Sequence, residues 1–234
     1  MIRRTFLLPV LLILAACAGG VPPQPNSPGG TSARSSAAPE LKLPEEAVQF
    51  VEAMLPALQQ MSAKGVGDVR PALDNALKQR AQQPRIRHGD RSRARSLSRE
   101  AQRLLKAGEI DAAITGLHAA LSADPADVDA ANALGFALLI AERYRESRRF
   151  LLLTLAQDPY RSKAWLSLGE VFAALQQKSS AIAAFSNAYD LSRDREKTLQ
   201  QFRDILREPS TPAAGDWVAE MLRLRHLPLP DPTH

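Results

Sequence analysis

From residue 41 onward the apolar positions recur with helical spacing. Phe50, Val51, Met54, Leu55, Leu58 and Met61 fall at i, i+1, i+4, i+5, i+8 and i+11, one stripe of an α-helix. Pro44 suits its first turn, and Glu45 and Glu46 favour the positive end of its dipole. Pro56 lies inside the stripe and should bend or divide the helix. A weaker pattern predicts a helix over 69–83, with Asp68 as its cap and Pro84 as its stop. No segment alternates apolar and polar residues with the period of two that a half-buried strand needs, and Ala, Leu, Gln and Arg dominate. The chain reads as all-α.

Beyond residue 94 the pattern repeats itself with a fixed period. Pro125 and Pro159 are 34 apart, as are Leu134 and Leu168, and Gly135 and Gly169. Three columns extend through three copies: Ala113, Ser147 and Ala181; Leu117, Leu151 and Phe185; Ala120, Thr154 and Ala188. Small residues let paired helices approach, large ones fill the gaps, and each proline follows an aspartate where a second helix must end. The clearest copy, 162–195, carries Trp165, Leu168, Gly169 and Phe172, then Ala181, Phe185 and Ala188. Residues 128–161 keep Leu134, Gly135, Leu138, Tyr144, Leu151 and Pro159, with Ala131 in the tryptophan position. Residues 94–127 are more divergent, keeping Leu97, Ala101, Leu104, Gly108 and Pro125. Period and residue types together resemble the tetratricopeptide repeat. That resemblance implies a right-handed superhelical array of about three helix-turn-helix repeats. A capping helix is expected over 195–207, with Leu199, Phe202, Ile205 and Leu206 on one side. Trp217, Val218, Met221 and Leu222 predict a short last helix after a break from Pro209 to Gly215. Three prolines within 227–234 predict an extended tail.

The same resemblance implies a concave groove lined by the first helix of each repeat. It carries over to Arg95, Ser98, Gln102 and Lys106 in the first copy and to Asp129, Asn132, Phe136 and Leu139 in the second. The third copy contributes Lys163, Leu166, Glu170 and Ala173. Arg95, Arg99, Lys106, Asn132 and Lys163 offer charge-assisted and amide hydrogen bonds to an acidic or carboxy-terminal peptide. Asp129 and Glu170 interrupt that positive surface, and the set does not match the carboxylate clamp of chaperone-binding members. The N-terminal helix or the Pro-rich tail is an alternative occupant in cis.

The first seventeen residues follow another logic. Arg3 and Arg4 precede an apolar run from Phe6 to Ala16, too short to span a bilayer permanently and suited to an export signal. The run ends in Leu14, Ala15, Ala16 and Cys17, which resembles the lipobox of bacterial lipoproteins. The resemblance implies cleavage after residue 16 and acylation of Cys17, whose several chains would hold the protein on a membrane where a single chain holds only marginally. Ala18 after the cysteine is associated with sorting to the outer membrane, on its periplasmic side; a surface-exposed or inner-membrane lipoprotein is the alternative. Arg3 and Arg4 also resemble a twin-arginine signal, but the usual polar residue before the pair and the lysine after it are missing. The remaining organisation is a lipidated, Pro/Gly/Ser-rich linker over 17–43, helices and a basic segment over 44–93, the repeats over 94–207, and a short helix and tail over 208–234. The stretch 18–40 holds five prolines, four glycines and four serines, and should be a disordered tether. Its ends would lie about 25 Å apart as a coil and roughly 75 Å apart when taut.

Composition narrows the chemistry. Thirty basic and twenty-five acidic side chains give a formal charge of +5 over 234 residues. Removing the signal takes Arg3 and Arg4 with it and lowers the charge of the mature chain to +3. The stretch 78–99 alone carries eight basic residues and one acid, so the rest of the mature chain is acidic. That stretch contains no aromatic residue for stacking nucleobases, and export would separate the protein from nucleic acid. An anionic lipid, phosphorylated glycolipid or acidic protein suits it better. Arg143, Arg145, Arg148 and Arg149 have Glu142 and Glu146 beside them for pairing within one helix. One cysteine excludes an intramolecular disulfide framework, and four scattered histidines point to no metal cluster. There is no nucleophile elbow, phosphate loop or His-Glu-x-x-His helix. Acids and histidines such as Glu170 and His118 occur singly, as surface or groove-rim residues. No catalytic residue, metal or cofactor is expected. The expected role is a noncatalytic, membrane-anchored adaptor binding a protein or peptide partner in the bacterial envelope. Lipoproteins of this repeat family that assist pilus or secretin assembly are the nearest resemblance. An adaptor for cell-wall enzymes and a tether holding anionic lipid or glycolipid through 78–99 are the alternatives.

Overall fold

Two link types alternate along the chain and set its architecture, which is a computed structural model describing residues 70–81 and 86–229. The lipobox with Cys17, the tether, the expected helix around Pro56 and residues 230–234 lie outside the described residues. The described residues are helical throughout, without a strand. In order these are α1 (Arg70–Arg80), α2 (Arg91–Lys106), α3 (Ile110–Ala123), α4 (Val128–Ile140), α5 (Tyr144–Gln157), α6 (Ser162–Ala174), α7 (Lys178–Asp190), α8 (Arg195–Arg207) and α9 (Pro212–Leu224). Three-residue links join α2 to α3, α4 to α5 and α6 to α7, and these pairs pack as hairpins; four-residue links join one hairpin to the next.

Each short link is the same turn. Gly108 (φ 83°), Glu142 (φ 58°) and Gln176 (φ 58°) sit at its centre in the left-handed region, one in each repeat. The following amide reaches back to the helix it has left: Glu109 N–H to Leu104 O at 3.0 Å, Arg143 N–H to Leu138 O at 2.9 Å, Gln177 N–H to Phe172 O at 2.8 Å. These bonds satisfy carbonyls that a helix end leaves open and reverse the chain sharply.

The columns read from sequence meet inside the hairpins. A Cβ on Gly135 would stand 2.7 Å from Leu151, and one on Gly169 would stand 2.4 Å from the Phe185 ring. Only glycine allows α4 and α6 so close to their partners. Ala101, at the equivalent place in α2, is buried and faces Gly116 of α3. Trp165, Phe172, Phe185 and Phe202 are fully buried, each stabilising the fold by about 2–3 kcal/mol through removal from water. Trp165 keeps its indole N–H satisfied by Pro159 O at 2.8 Å, so the Asp-Pro link is part of the core.

Several boundaries differ from expectation. Helix α1 ends at Arg80 rather than near 83, and α2 begins at Arg91 because Asp90 accepts the Arg93 N–H at 2.9 Å and caps it there. The break before the last helix is shorter than the Pro209–Gly215 spacing implies. Thr211 accepts the Ala214 N–H at 3.3 Å and Pro212 occupies the first turn, so Gly215 lies inside α9. Helix α1 docks by Leu73, which is fully buried, and by Asp74, which accepts the Tyr160 hydroxyl. It therefore meets the link between α5 and α6. At the other end α9 packs against α6, α7 and α8.

Candidate functional site

Of the groove residues expected on α2, α4 and α6, the structure brings those of α2 together with Asp129 at the start of α4 and sets Lys163 of α6 apart. Along α2, Arg91, Arg95 and Arg99 repeat every fourth residue and are exposed. They line a cleft of about 480 Å³ between α2 and the start of α4, together with Gln102 and Asp129. Arg99, Gln102 and Lys106 continue into an adjoining depression.

The acids around this cleft are all engaged. Asp127 caps α4, accepting the amides of Asp129 and Ala130 at 3.0 Å each. Asp129 is held by Arg161 Nη1 at 2.6 Å, and Arg161 also reaches Asp158 at 3.1 Å. Asp129 stays exposed at the edge of the cleft, its charge paired with Arg161. Asp124 is nearly fully buried; it receives the Gly89 amide at 3.0 Å, the Ala126 amide at 3.2 Å and His88 Nδ1 at 3.1 Å. Burial works against its charge, but the bonds from Gly89, His88 and Ala126 outweigh burial and hold its pKa below the usual carboxylate value. Arg91, Arg95 and Arg99 make no ion pair among the described residues.

Further along α4, beyond Asp129, two large apolar side chains are exposed. Phe136 is 42% exposed and Ile140 46% exposed, while the buried Oδ1 of Asn132 accepts no hydrogen bond among the described residues. Ile140 is not among the residues expected on the groove; the signal that marks it is its place one repeat after Lys106. Ser98, Leu139, Leu166 and Ala173, which the resemblance placed on the groove, are buried instead. Neighbouring helices claim them, since a stripe shared by three stacked hairpins serves as their seam as well as their surface.

The third hairpin is closed. Lys163 remains exposed but lies in a separate cleft of about 540 Å³ with Arg193 and Lys197. Glu170 is partly buried, beside Ser210 of the link between α8 and α9. Burial pushes its pKa above the ordinary glutamate value, and the nearby Ser210 offsets only part of that. Glu170 and His118, read from sequence as surface or groove-rim residues, are both partly buried. His118 packs edge-on against Phe150 at 5.5 Å, with Nδ1 buried and unbonded among the described residues. Its pKa is lowered by burial first and by Arg143 second. Of the arginines beside it, Arg143 pairs with Glu146 at 2.7 Å as expected, whereas Arg148 lies 5.8 Å from the Phe172 ring centre.

Among the described residues there is no group of three or more potential metal ligands, and no helix is long and apolar enough to cross a membrane. The arrangement is suited to holding an elongated, acidic partner with an apolar side chain, its carboxylates on the arginines and its apolar residue against Phe136 and Ile140. No family model and no curated protein matches this chain.

Proposed function

We propose that this chain is a tetratricopeptide-type adaptor, held on the periplasmic side of the outer membrane by lipid on Cys17. In this reading it acts without catalysis, recruiting a protein or peptide partner into an envelope assembly such as a pilus or secretion system. The repeated left-handed turns at Gly108, Glu142 and Gln176, and the glycine contacts of Gly135 and Gly169, support the repeat family. The observation that carries the binding role is the cleft between α2 and α4. Arg91, Arg95 and Arg99 stand there without acidic partners among the described residues, and α4, whose Asp129 lines the cleft, exposes Phe136 further along. Charge-assisted bonds would orient an acidic segment, and burial of its apolar residue would supply most of the affinity.

The test is affinity capture from detergent-solubilised envelopes with wild type, Cys17→Ala and the pair Arg95→Glu with Lys106→Glu. A partner recovered by wild type and lost with the charge reversals supports the adaptor; recovery unaffected by the reversals removes the groove. A second reading rests on α2 itself, which exposes Arg91, Arg93, Arg95 and Arg99 and carries one acid, Glu100, paired to Arg103. That helix would tether the domain to anionic lipid or glycolipid, and binding to anionic vesicles would then fall steeply as salt rises.

A further inference from the structure

The cleft between α2 and α4 has a neighbour. A second cleft, of about 540 Å³, lies between the start of α6 and the start of α8, and Arg161 and Asp158 line it. Asp129 lines the first cleft, and Arg161 bonds Asp129 at 2.6 Å, so one ion pair is the wall between the two. Arg161 also reaches Asp158 at 3.1 Å, which braces the wall from the far side. The repeat period explains why the clefts share an edge. Arg95, Asp129, Lys163 and Lys197 follow one another at intervals of 34 residues, near the starts of α2, α4, α6 and α8. Helix α4 touches both α2 and α6, so this column runs along one edge of the array.

The second cleft is basic because its link departs from the repeat. The links before α4 and α6 carry Asp124-Pro125 and Asp158-Pro159, whereas the link before α8 has Ser192-Arg193 at the same two positions. One acid is lost there and one base gained. Lys163, Arg193 and Lys197 line the cleft; all three are exposed, and none makes an ion pair among the described residues. The acids of the cleft are already engaged. Asp158 holds Arg161, and Asp194 caps α8 by accepting the Lys197 N–H at 3.0 Å. Three cations around one cleft repel one another, and a carboxylate placed among them relieves that repulsion while accepting charge-assisted hydrogen bonds.

We propose that the second cleft is a further carboxylate subsite for the same acidic partner chain, which crosses the Asp129–Arg161 wall to reach it. The proposal rests on the reading that the first cleft binds that partner. Packed helices lie roughly 8–10 Å apart, so two steps from α2 to α6 separate the subsites by roughly 16–20 Å. An extended chain advances about 3.3–3.6 Å per residue, so the partner carries two acidic clusters whose centres lie about five or six residues apart. The residues between them are uncharged, because Asp129 is 74% exposed on the wall and repels an acid laid over it. A chain can place a neutral residue there, whereas a uniformly anionic lipid surface cannot. Once one cluster is bound, the second contact is intramolecular and tightens the whole.

Fluorescence anisotropy with the full chain at physiological ionic strength, where screening confines charge effects to about 8 Å, tests this. The probes are labelled peptides carrying one Glu pair, or two Glu pairs separated by one or by four Gly/Ser residues. The four-residue spacer should bind about tenfold or more tighter than the single pair, and tighter than the one-residue spacer. Lys163→Glu with Lys197→Glu should return that peptide to the affinity of the single pair, and leave the single pair within about twofold. Both lysines are exposed near helix starts, where acids are favoured, so this variant keeps the fold. Arg95→Glu should weaken the same peptide from the other end. Equal affinity for the two spacers, or equal losses of single and double pairs in the lysine variant, would overturn the second subsite and leave the first cleft standing. Loss in the lysine variant with none in Arg95→Glu would overturn the bridge and remove the first cleft from it. No binding of any peptide removes the reading of the first cleft, and this subsite with it.

Discussion

Three residues at the centre of three equivalent turns allow the backbone argument to be tested almost free of packing. Glu142 and Gln176 hold φ at 58°, where an L-residue crowds its own carbonyl at a cost of about 1–2 kcal/mol. Gly108 holds φ at 83° in the first turn, and no atom outside its neighbours lies within 4 Å of where a Cβ would be. Glycine escapes that cost but gives up about 0.5–1 kcal/mol of unfolded-chain entropy, so Glu142→Gly should stabilise the array by about 0.5–1 kcal/mol. Gln176→Gly should gain slightly less, because the Gln176 amide also reaches Ala173 O at 3.4 Å. Gly108→Ala should cost about 1 kcal/mol. In a domain of this size the Glu142→Gly, Gln176→Gly pair should raise Tm by roughly 2–8 °C. Urea unfolding followed by helical circular dichroism reads these as shifts of the midpoint with an unchanged slope. Ala107→Gly is the control: its φ of −79° is right-handed, so glycine there should destabilise by about 0.5–1 kcal/mol. If Glu142→Gly destabilises as much as Ala107→Gly, the turns are not what the structure describes.

Other expectations follow from the packing and the buried carboxylates. Gly169→Ala should cost about 1–3 kcal/mol through collision with the Phe185 ring, exceeding the roughly 1 kcal/mol that alanine adds to a helix, and Phe185→Leu should relieve part of it in a double-mutant cycle. Glu170 has a raised folded pKa, so the folded state binds more protons between the ordinary glutamate value and that raised value, and stability falls as pH climbs through this window. Glu170→Gln should flatten that fall and raise Tm at neutral pH; an identical pH profile in both proteins would contradict the burial of this group. Asp124 has the opposite sign: its depressed pKa contributes stability above the ordinary aspartate value, lost as pH drops through the folded pKa. Asp124→Ala should therefore remove that acid-side loss and cost about 1–3 kcal/mol at neutral pH, since the Gly89 and Ala126 amides lose their acceptor, which thermal melts from acid to neutral pH would reveal.

The hairpins were legible because their information is local and periodic. The recurrence of Gly135 with Gly169 and of Leu151 with Phe185, one period apart, states which helices must touch, and the structure closes those contacts. Part of the positive face of α2 was legible too, since Arg95 and Arg99 lie one turn apart; Arg91, which extends it, entered only as one charge of the basic stretch. Which groove residues stay open was not. Leu139, Leu166 and Ala173 share the helical register of Phe136, and only the stacking of one hairpin on the next decides that Phe136 remains in solvent. The clasp of His88, Gly89 and Asp124 joins the start of α2 to the end of α3, and no periodicity marks it.

The C-terminal end shows the division most clearly. Sequence places α8 and α9 in register as a fourth hairpin, through apolar positions that recur once per repeat. The link 208–211 and Arg203 in the glycine column then give α9 a different partner, which emerges only when the whole array competes for its apolar face. Sequence by itself determined the helices, their period and the pairing within the three hairpins from α2 to α7, because those depend on near neighbours along the chain or on positions one repeat away. Tertiary structure alone decided which of their faces meet solvent, because burial depends on every surface that can cover them.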